Sequence, residues 1–171
     1  MKEHAITIIE TERLSLHELT VEDAEFILDL VNQPSFLANI GDKGVRTLDD
    51  ARRFILDGPW RRDQPAGHGQ FLVRLKTAGT AIGVSGLLYR ERIDVTDVGG
   101  AYLPEFQQHG YGLEAARALI EYGKTTLGVR QVVALTSEDN TASIALLAKL
   151  GMSFDRLVKM TDDDPGTALY S

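Results

Sequence analysis

The hydrophobic period changes partway along this chain, and that change limits the folds open to it. From residue 70 apolar side chains fall in three short strand-like runs, 71–75, 80–89 and 97–103, joined by short links at 76–79 and 90–96. Runs so closely joined form an antiparallel meander. The period then turns helical, with Leu113, Ala116, Ile120 and Leu127 on one face. A β-branched run at 131–136, a second helical pattern at 141–150 and a strand run at 152–160 follow. Strand, helix, strand, helix, strand is a βαβα signature, so a parallel pairing is expected in the last third of the chain.

The first third supplies the covering helices. Residues 5–9 and 14–19 read as a bent strand or hairpin, split by the polar Glu10-Thr11-Glu12-Arg13. Thr20 with Asp23 marks a helix start leading into Ala24, Ile27, Leu28 and Val31, and Pro34 is expected to stop that helix. Thr47 with Asp50 marks a second, running through Ala51, Phe54 and Ile55 to Gly58-Pro59. Residues 35–46 read as a mobile connection and 58–69 as loop. The whole describes a mixed α/β (α+β) sheet with helices on both faces, in one domain over residues 1–171. At 43% hydrophobic residues such a chain can bury a full core.

The absence of cysteine excludes disulfide frameworks, thiolate metal sites and cysteine nucleophiles, and is compatible with a reducing cytoplasm, the expected location. Eighteen basic against 25 acidic residues leave a net charge of −7, the wrong sign for a general nucleic-acid binder. No stretch approaches the ~20 apolar residues of a membrane span, and Met1-Lys2-Glu3-His4 opens no apolar run of signal-peptide length. His4, His17, His68 and His109 have no metal-ligand spacing, so no metal is expected.

The stretch that carries chemistry is Gln107-Gln108-His109-Gly110-Tyr111-Gly112-Leu113-Glu114-Ala115, between a strand and a helix. Glycines there let backbone approach an anion, and the unpaired N–H groups of a helix start face it. A purely local role, as turn and cap, is the bland alternative. One functional reading is a dinucleotide site, since Gly110, Gly112 and Ala115 satisfy Gly-x-Gly-x-x-Ala and Glu138 stands downstream for a ribose. It fits poorly, because residues 104–109 separate the glycines from the strand and too little chain follows for a second βαβ half.

The other reading is the pyrophosphate of coenzyme A. Gln107 to Gly112 resembles the Gln/Arg-x-x-Gly-x-Gly/Ala loop of the GNAT N-acetyltransferases. Asp97-Val98-Gly99-Gly100, Leu103-Pro104-Glu105 and Gly110 to Ala115 are similar to the branch of ribosomal-protein N-terminal acetyltransferases. So are Asn140-Thr141-Ala142-Ser143, Leu147-Ala148-Lys149-Leu150-Gly151-Met152 and the opening Glu12-Arg13-Leu14-Ser15-Leu16. The family's order of elements matches the order above over nearly the whole chain. Gln107-Gln108-His109 replaces the commoner Trp-Gly-Lys, and Met152 replaces Phe.

The resemblance implies acetyl-CoA as co-substrate, gripped by Gln108, His109, Gly110, Tyr111, Gly112 and Leu113. A backbone N–H near Tyr102 or Leu103 would polarise the thioester carbonyl, and Asn140 would hold the pantetheine amides. Ser143 would protonate the departing thiolate, with helix capping as its plain alternative, and Tyr111 is a second donor candidate. Asp97 would serve as base, helped by burial or a water relay, or else be only a strand-start residue. Glu138, Phe36 and Trp60 are candidate acceptor-lining residues, the aromatics alternatively core caps. The implied activity is acetylation of a primary amine, either a protein N-terminus or a small molecule. A non-catalytic acyl-CoA sensor is the rival, and homodimerisation is an expectation of the resemblance alone.

Overall fold

The computed structural model describes residues 6–171. Among them an eight-stranded sheet runs in the order β1-β2-β3-β4-β5-β6-β8-β7. β1 (Thr7–Glu10) and β2 (Leu14–Glu18) pair as an antiparallel hairpin; Ala5 and His4 lie outside the described residues. β3 (Gly69–Leu75), β4 (Ala81–Arg90) and β5 (Val95–Tyr102) are the expected meander. α4 (Tyr111–Thr125) crosses to β6 (Val132–Thr136), which joins β5 in the expected parallel pairing. α5 (Thr141–Lys149) leads to β7 (Phe154–Val158), and β8 (Thr167–Tyr170) closes the chain.

Two elements differ from the sequence reading. Pro34 does not merely stop a helix: it opens α2 (Pro34–Asn39), where its missing N–H costs nothing because first-turn N–H groups have no partner within the helix. Residues 35–46 are therefore part helix. β8 was not expected at all. It has four residues, too few for its alternation to stand out, and it slots between β6 and β7 antiparallel to both. The turn before it is built by Asp164, whose carboxylate accepts from the Met160 and Gly166 N–H groups and the Thr167 hydroxyl.

Strand alternation sorts the apolar residues onto two faces. Leu14, Leu16, Phe71, Val73, Leu87 and Val98 pack under α4 through Ala115, Ala116 and Leu119. Leu72, Val84 and Leu103 pack on the other face under α1 (Ala24–Val31) and α3 (Leu48–Asp57), through Ile27, Leu30 and Ile55. The Thr47–Asp50 pair forms the capping box the sequence predicts for α3.

What positions the site is a break in the sheet. β5 and β6 pair only at Thr96 with Val132 and Asp97 with Val133. Beyond that, β6 pairs Ala134, Leu135 and Thr136 with β8, while β5 stays with β4 as far as Tyr102 opposite Gly83. The parallel strands splay, and the edge of β5 from Val98 onward loses its neighbour.

Two glycines in register test this arrangement. A Cβ on Gly86 would overlap the Gly69 carbonyl oxygen, whereas one on Gly99 would find nothing within 4 Å. Gly86→Ala is expected to cost about 1–3 kcal/mol of unfolding free energy as overpacking, and Gly99→Ala to stay within about 0.5 kcal/mol. Urea midpoints measure both; equal midpoints would contradict the register.

Candidate active site

After β5 a 3-10 turn at Pro104–Phe106 carries the chain to the glycine loop. Gln107 Nε2 donates to the Tyr102 carbonyl at 3.0 Å, and His109 Nε2 lies 3.1 Å from the Glu105 carbonyl, so this ring nitrogen carries a proton. The imidazole is thus turned to its own loop. Gln108 and Gly110 both take left-handed backbone, φ 62° and 80°. Glycine does so freely, whereas a side-chain-bearing residue gives up roughly 1–2 kcal/mol. Gly110 is the N-cap of α4. Among the described residues the backbone N–H groups of residues 108–113 donate to no protein acceptor. With the positive end of the α4 dipole behind them, they form a cradle for an anion.

The turn between β1 and β2 holds this cradle from behind. The Glu114 carboxylate accepts from the Thr11 hydroxyl at 2.6 Å, the Arg13 N–H at 2.8 Å and Arg13 Nε at 2.7 Å. Those donors hold its carboxyl below the usual glutamate range, against partial burial, which acts the other way. Arg13 Nη1 also donates to the His109 carbonyl at 3.0 Å, and its guanidinium lies 4.5 Å from the Tyr111 ring centroid. The Tyr111 ring thus packs against the Arg13 guanidinium and lies tilted beside the His109 ring. In the sequence, Glu12-Arg13-Leu14-Ser15-Leu16 marks only a family-like opening. Nothing local marks Arg13 as a partner of a residue 101 positions away.

Gly112 works differently from Gly110. A Cβ there would come within 3.2 Å of Leu146 and 3.4 Å of the Tyr102 ring, so its bareness lets β5, α4 and α5 close together. Asn140 caps α5, its Oδ1 accepting from the Ser143 N–H at 3.2 Å. Ser143, half-buried, shares a helix face with Leu146 three residues on, and its hydroxyl enters no hydrogen bond among the described residues. The α5 start thus stands beside the α4 start at the end of the splay. The Leu103 N–H donates to the Ile82 carbonyl at 2.9 Å and is already used. Ladder alternation then turns the Tyr102 N–H to the splayed edge. The Tyr102 hydroxyl is buried without a hydrogen-bond partner, and burial pushes the phenol up, so it keeps its proton.

The remaining candidates lie apart from the loop. Asp97, 4% exposed, is held by Arg90, with Nε at 2.9 Å and Nη2 at 3.4 Å. Burial pushes its carboxyl up and the guanidinium pulls it partly back. Glu138 is exposed on the link between β6 and α5. Phe36, 3% exposed, sits in the core with its ring edge-on to Trp60, so the acceptor-lining reading of Phe36 gives way to core packing. Trp60 packs on Phe54 and lines a cavity of about 210 Å³ with Gln70, Ile55 and Leu19. The dinucleotide reading loses its frame, because β5 and β6 are the only parallel pair among the described strands and no second βαβ half exists there. Among the described residues no group of His, Asp or Glu gathers to hold a metal, and no helix is long and apolar enough to cross a membrane.

Residues 13–153 match the family model of the acetyltransferase (GNAT) domain, and the chain belongs to that family. Acetyl transfer from acetyl-CoA is its general activity. An uncharacterized N-acetyltransferase of Bacillus subtilis, YnaD, is 26% identical over 145 residues, 84% of this chain and 81% of that protein. An acetyltransferase structure from Agrobacterium tumefaciens superposes with TM-score 0.76 at 25% identity, covering 98% and 95% of the two chains. RimL, the ribosomal L7/L12 alpha-N-protein acetyltransferase solved with coenzyme A, shares the fold with TM-score 0.79 at 16% identity, covering 96% of each.

The Glu114 clamp is testable through stability. Glu114→Ala is expected to lower the unfolding free energy by about 1.5–3 kcal/mol, the range for hydrogen bonds to a charged group. Because the folded carboxyl is held low, its contribution is complete above the ordinary glutamate range and lost as pH falls through the folded value. The gap between wild type and Glu114→Gln, followed by urea unfolding from pH 7 downward, should therefore close in acid; a gap independent of pH would contradict the clamp.

Proposed function

We propose that this chain acetylates a primary amine, the amine attacking the thioester of acetyl-CoA directly. The observation that carries the reading is the run of undonated N–H groups at residues 108–113, set at the end of the splay between β5 and β6. Acetyl-CoA supplies the activated acetyl group; the protein supplies grip, polarisation and proton handling. Gln108, His109, Gly110, Tyr111, Gly112 and Leu113 offer backbone N–H groups to the pyrophosphate. The imidazole of His109 and the ring of Tyr111 act by shaping the loop. The free edge of β5 offers the Tyr102 N–H to the thioester carbonyl, worth most where water is excluded.

The chemistry balances with two proton transfers. A nitrogen–carbon bond forms as the carbon–sulfur bond breaks; the amine loses a proton and the thiolate gains one. Ser143, its hydroxyl unengaged among the described residues, is the candidate to give the thiolate its proton, with Asn140 holding the first turn that carries it. Asp97 is the candidate base. A carboxyl pushed up by burial is a better base than an exposed one, and Arg90 keeps it oriented. Support for an amine acceptor comes from the family and from relatives such as YnaD.

Calorimetric titration with acetyl-CoA and separately with NAD, then thiol release against amines and N-terminal peptides, tests the reading. Acetyl-CoA binding with thiol release is expected; binding without release across the panel would favour a sensor, and no binding would sink the proposal. Gly110→Val, strained at φ 80°, should abolish acetyl-CoA affinity while unfolding stays cooperative. Ser143→Ala should lower kcat about 10²-fold, the lower range for general acid catalysis, with cofactor affinity unchanged. Equal rates would leave Ser143 a capping-turn residue.

A further inference from the structure

Strand β7 ends the sheet, with β8 on one side and no strand on the other among the described residues. Residues 154–157 are all exposed, Phe154 to 54% and Leu157 to 49%, and the strand holds neither the Pro nor the Lys that commonly blunts an edge. Its pairing with β8 carries a bulge. Phe154 stands opposite Tyr170 and Leu157 opposite Ala168, while Asp155 and Arg156 together meet Leu169. Tyr170 and Ala168 lie two apart on β8, so Phe154 and Leu157 share one face although they are three apart. Asp155 and Arg156 share the other, where their side chains pair at 2.6 Å.

The ladder also decides which backbone groups are free. Ser153 and Ser171 exchange both of their main-chain hydrogen bonds, each 3.0 Å long. In an antiparallel ladder the next pair, Phe154 with Tyr170, is then not hydrogen-bonded, and past the bulge the alternation brings Leu157 with Ala168 to the same phase. The N–H and C=O of Phe154 and of Leu157 therefore point out of the free edge. A regular strand turns such groups outward at every second residue, so it does not match an edge where they are three apart. A strand with the same extra residue does.

We infer that two copies of this chain associate through β7, running antiparallel about a twofold axis between Asp155 and Arg156. Phe154 of one protomer then faces Leu157 of its partner, and the reverse, each pair exchanging two main-chain hydrogen bonds. Between them Asp155 of one protomer faces Arg156 of its partner, again twice. The bulge has already sorted these contacts, with the apolar pairs on one face and the charge pairs on the other. Edge charges and bulges ordinarily keep strands apart. Here the twofold axis sets each carboxylate against a guanidinium and each bulge against its equal, so the features that exclude a foreign strand admit the chain's own copy. The contact is isologous and closes at two copies.

An interface of one short strand pair is a transient one, so sedimentation would follow association from about 1 µM to about 1 mM protein. The wild type is expected to pass from one copy to two over that range. Asp155→Arg and Arg156→Asp should each weaken self-association roughly tenfold or more, because like charges then meet across the axis. An equimolar mixture of the two variants should regain it as a mixed dimer, since opposite charges again face each other at every position. Both side chains are exposed, and cooperative unfolding of each variant checks that the fold is kept. The chain has no cysteine, so a second measurement mixes Asp155→Cys with Arg156→Cys. Facing residues of a non-hydrogen-bonded pair lie about 4.5 Å apart at Cα, within disulfide reach, and oxidation should cross-link the mixture several-fold faster than either variant alone. A wild type that stays at one copy throughout, variants that associate as the wild type does, a mixture that fails to associate, or cross-linking no faster in the mixture would overturn the inference.

Discussion

The structure depends on a parallel pairing that stops after two residue pairs. A continued β5–β6 ladder would satisfy every backbone group along both strands and leave a closed sheet with no place for a ligand. Instead β6 pairs from Ala134 to Thr136 with β8 alone, on its other edge, while β5 keeps its full ladder to β4. Each strand is thus satisfied on one edge only beyond the branch. The open edges are a cost in the empty protein, since unpaired backbone groups want partners, and that cost is what an extended ligand placed between them would relieve. The late strand β8, inconspicuous in sequence, keeps β6 tied into the sheet where β5 leaves it.

The second dependence is on the hold that β1 and β2 keep over the start of α4. A helix N-terminus followed by bare N–H groups is intrinsically unstable, because water is the only alternative partner. Here Glu114 sits in the first turn, where a negative charge is favoured by the helix dipole, and spends its lone pairs on Thr11 and Arg13 rather than on capping N–H groups. The carboxylate thereby stabilises the helix end while leaving its donors free. Arg13, already fixed by that carboxylate, then orders the His109 carbonyl and the Tyr111 ring at little further entropic cost.

Local signals carried most of the fold into the sequence. The meander, α4, α5 and the Thr47–Asp50 cap are each written in a few neighbouring residues, and they appear where the period and capping chemistry place them. Gly110 was legible too, because a glycine before a helix after a strand has few uses. Pro34 was misread because proline ends one helix and begins the next with equal ease. The Arg13–Glu114 clamp and the close approach of Gly86 to the Gly69 carbonyl are not legible: both join positions apart in the chain, and only the packing of α4 on the β1–β2 turn, in the one case, and strand register, in the other, bring them together. Leu103 shows the same limit at finer scale, since whether its N–H or that of Tyr102 is free depends on ladder phase, which residue type does not encode.

That phase gives β5 two separate tasks. Val98 and Tyr102 turn toward α4, where Tyr102 meets Gly112 and ties the strand to the anion cradle. Asp97, Gly99 and Ala101 turn toward α1 and α3, where Asp97 meets Arg90 and Gly99 leaves space. A period of two, combined with one open edge, therefore separates a face that braces the loop from a face that is open at Gly99. A shift of β5 by a single residue against β4 would exchange these faces, burying Tyr102 under α1 and pressing Asp97 against the apolar layer of α4. The glycines at 83, 86 and 100, each too close to neighbouring backbone to bear a Cβ, hold the strands at the separation that makes such a slip costly.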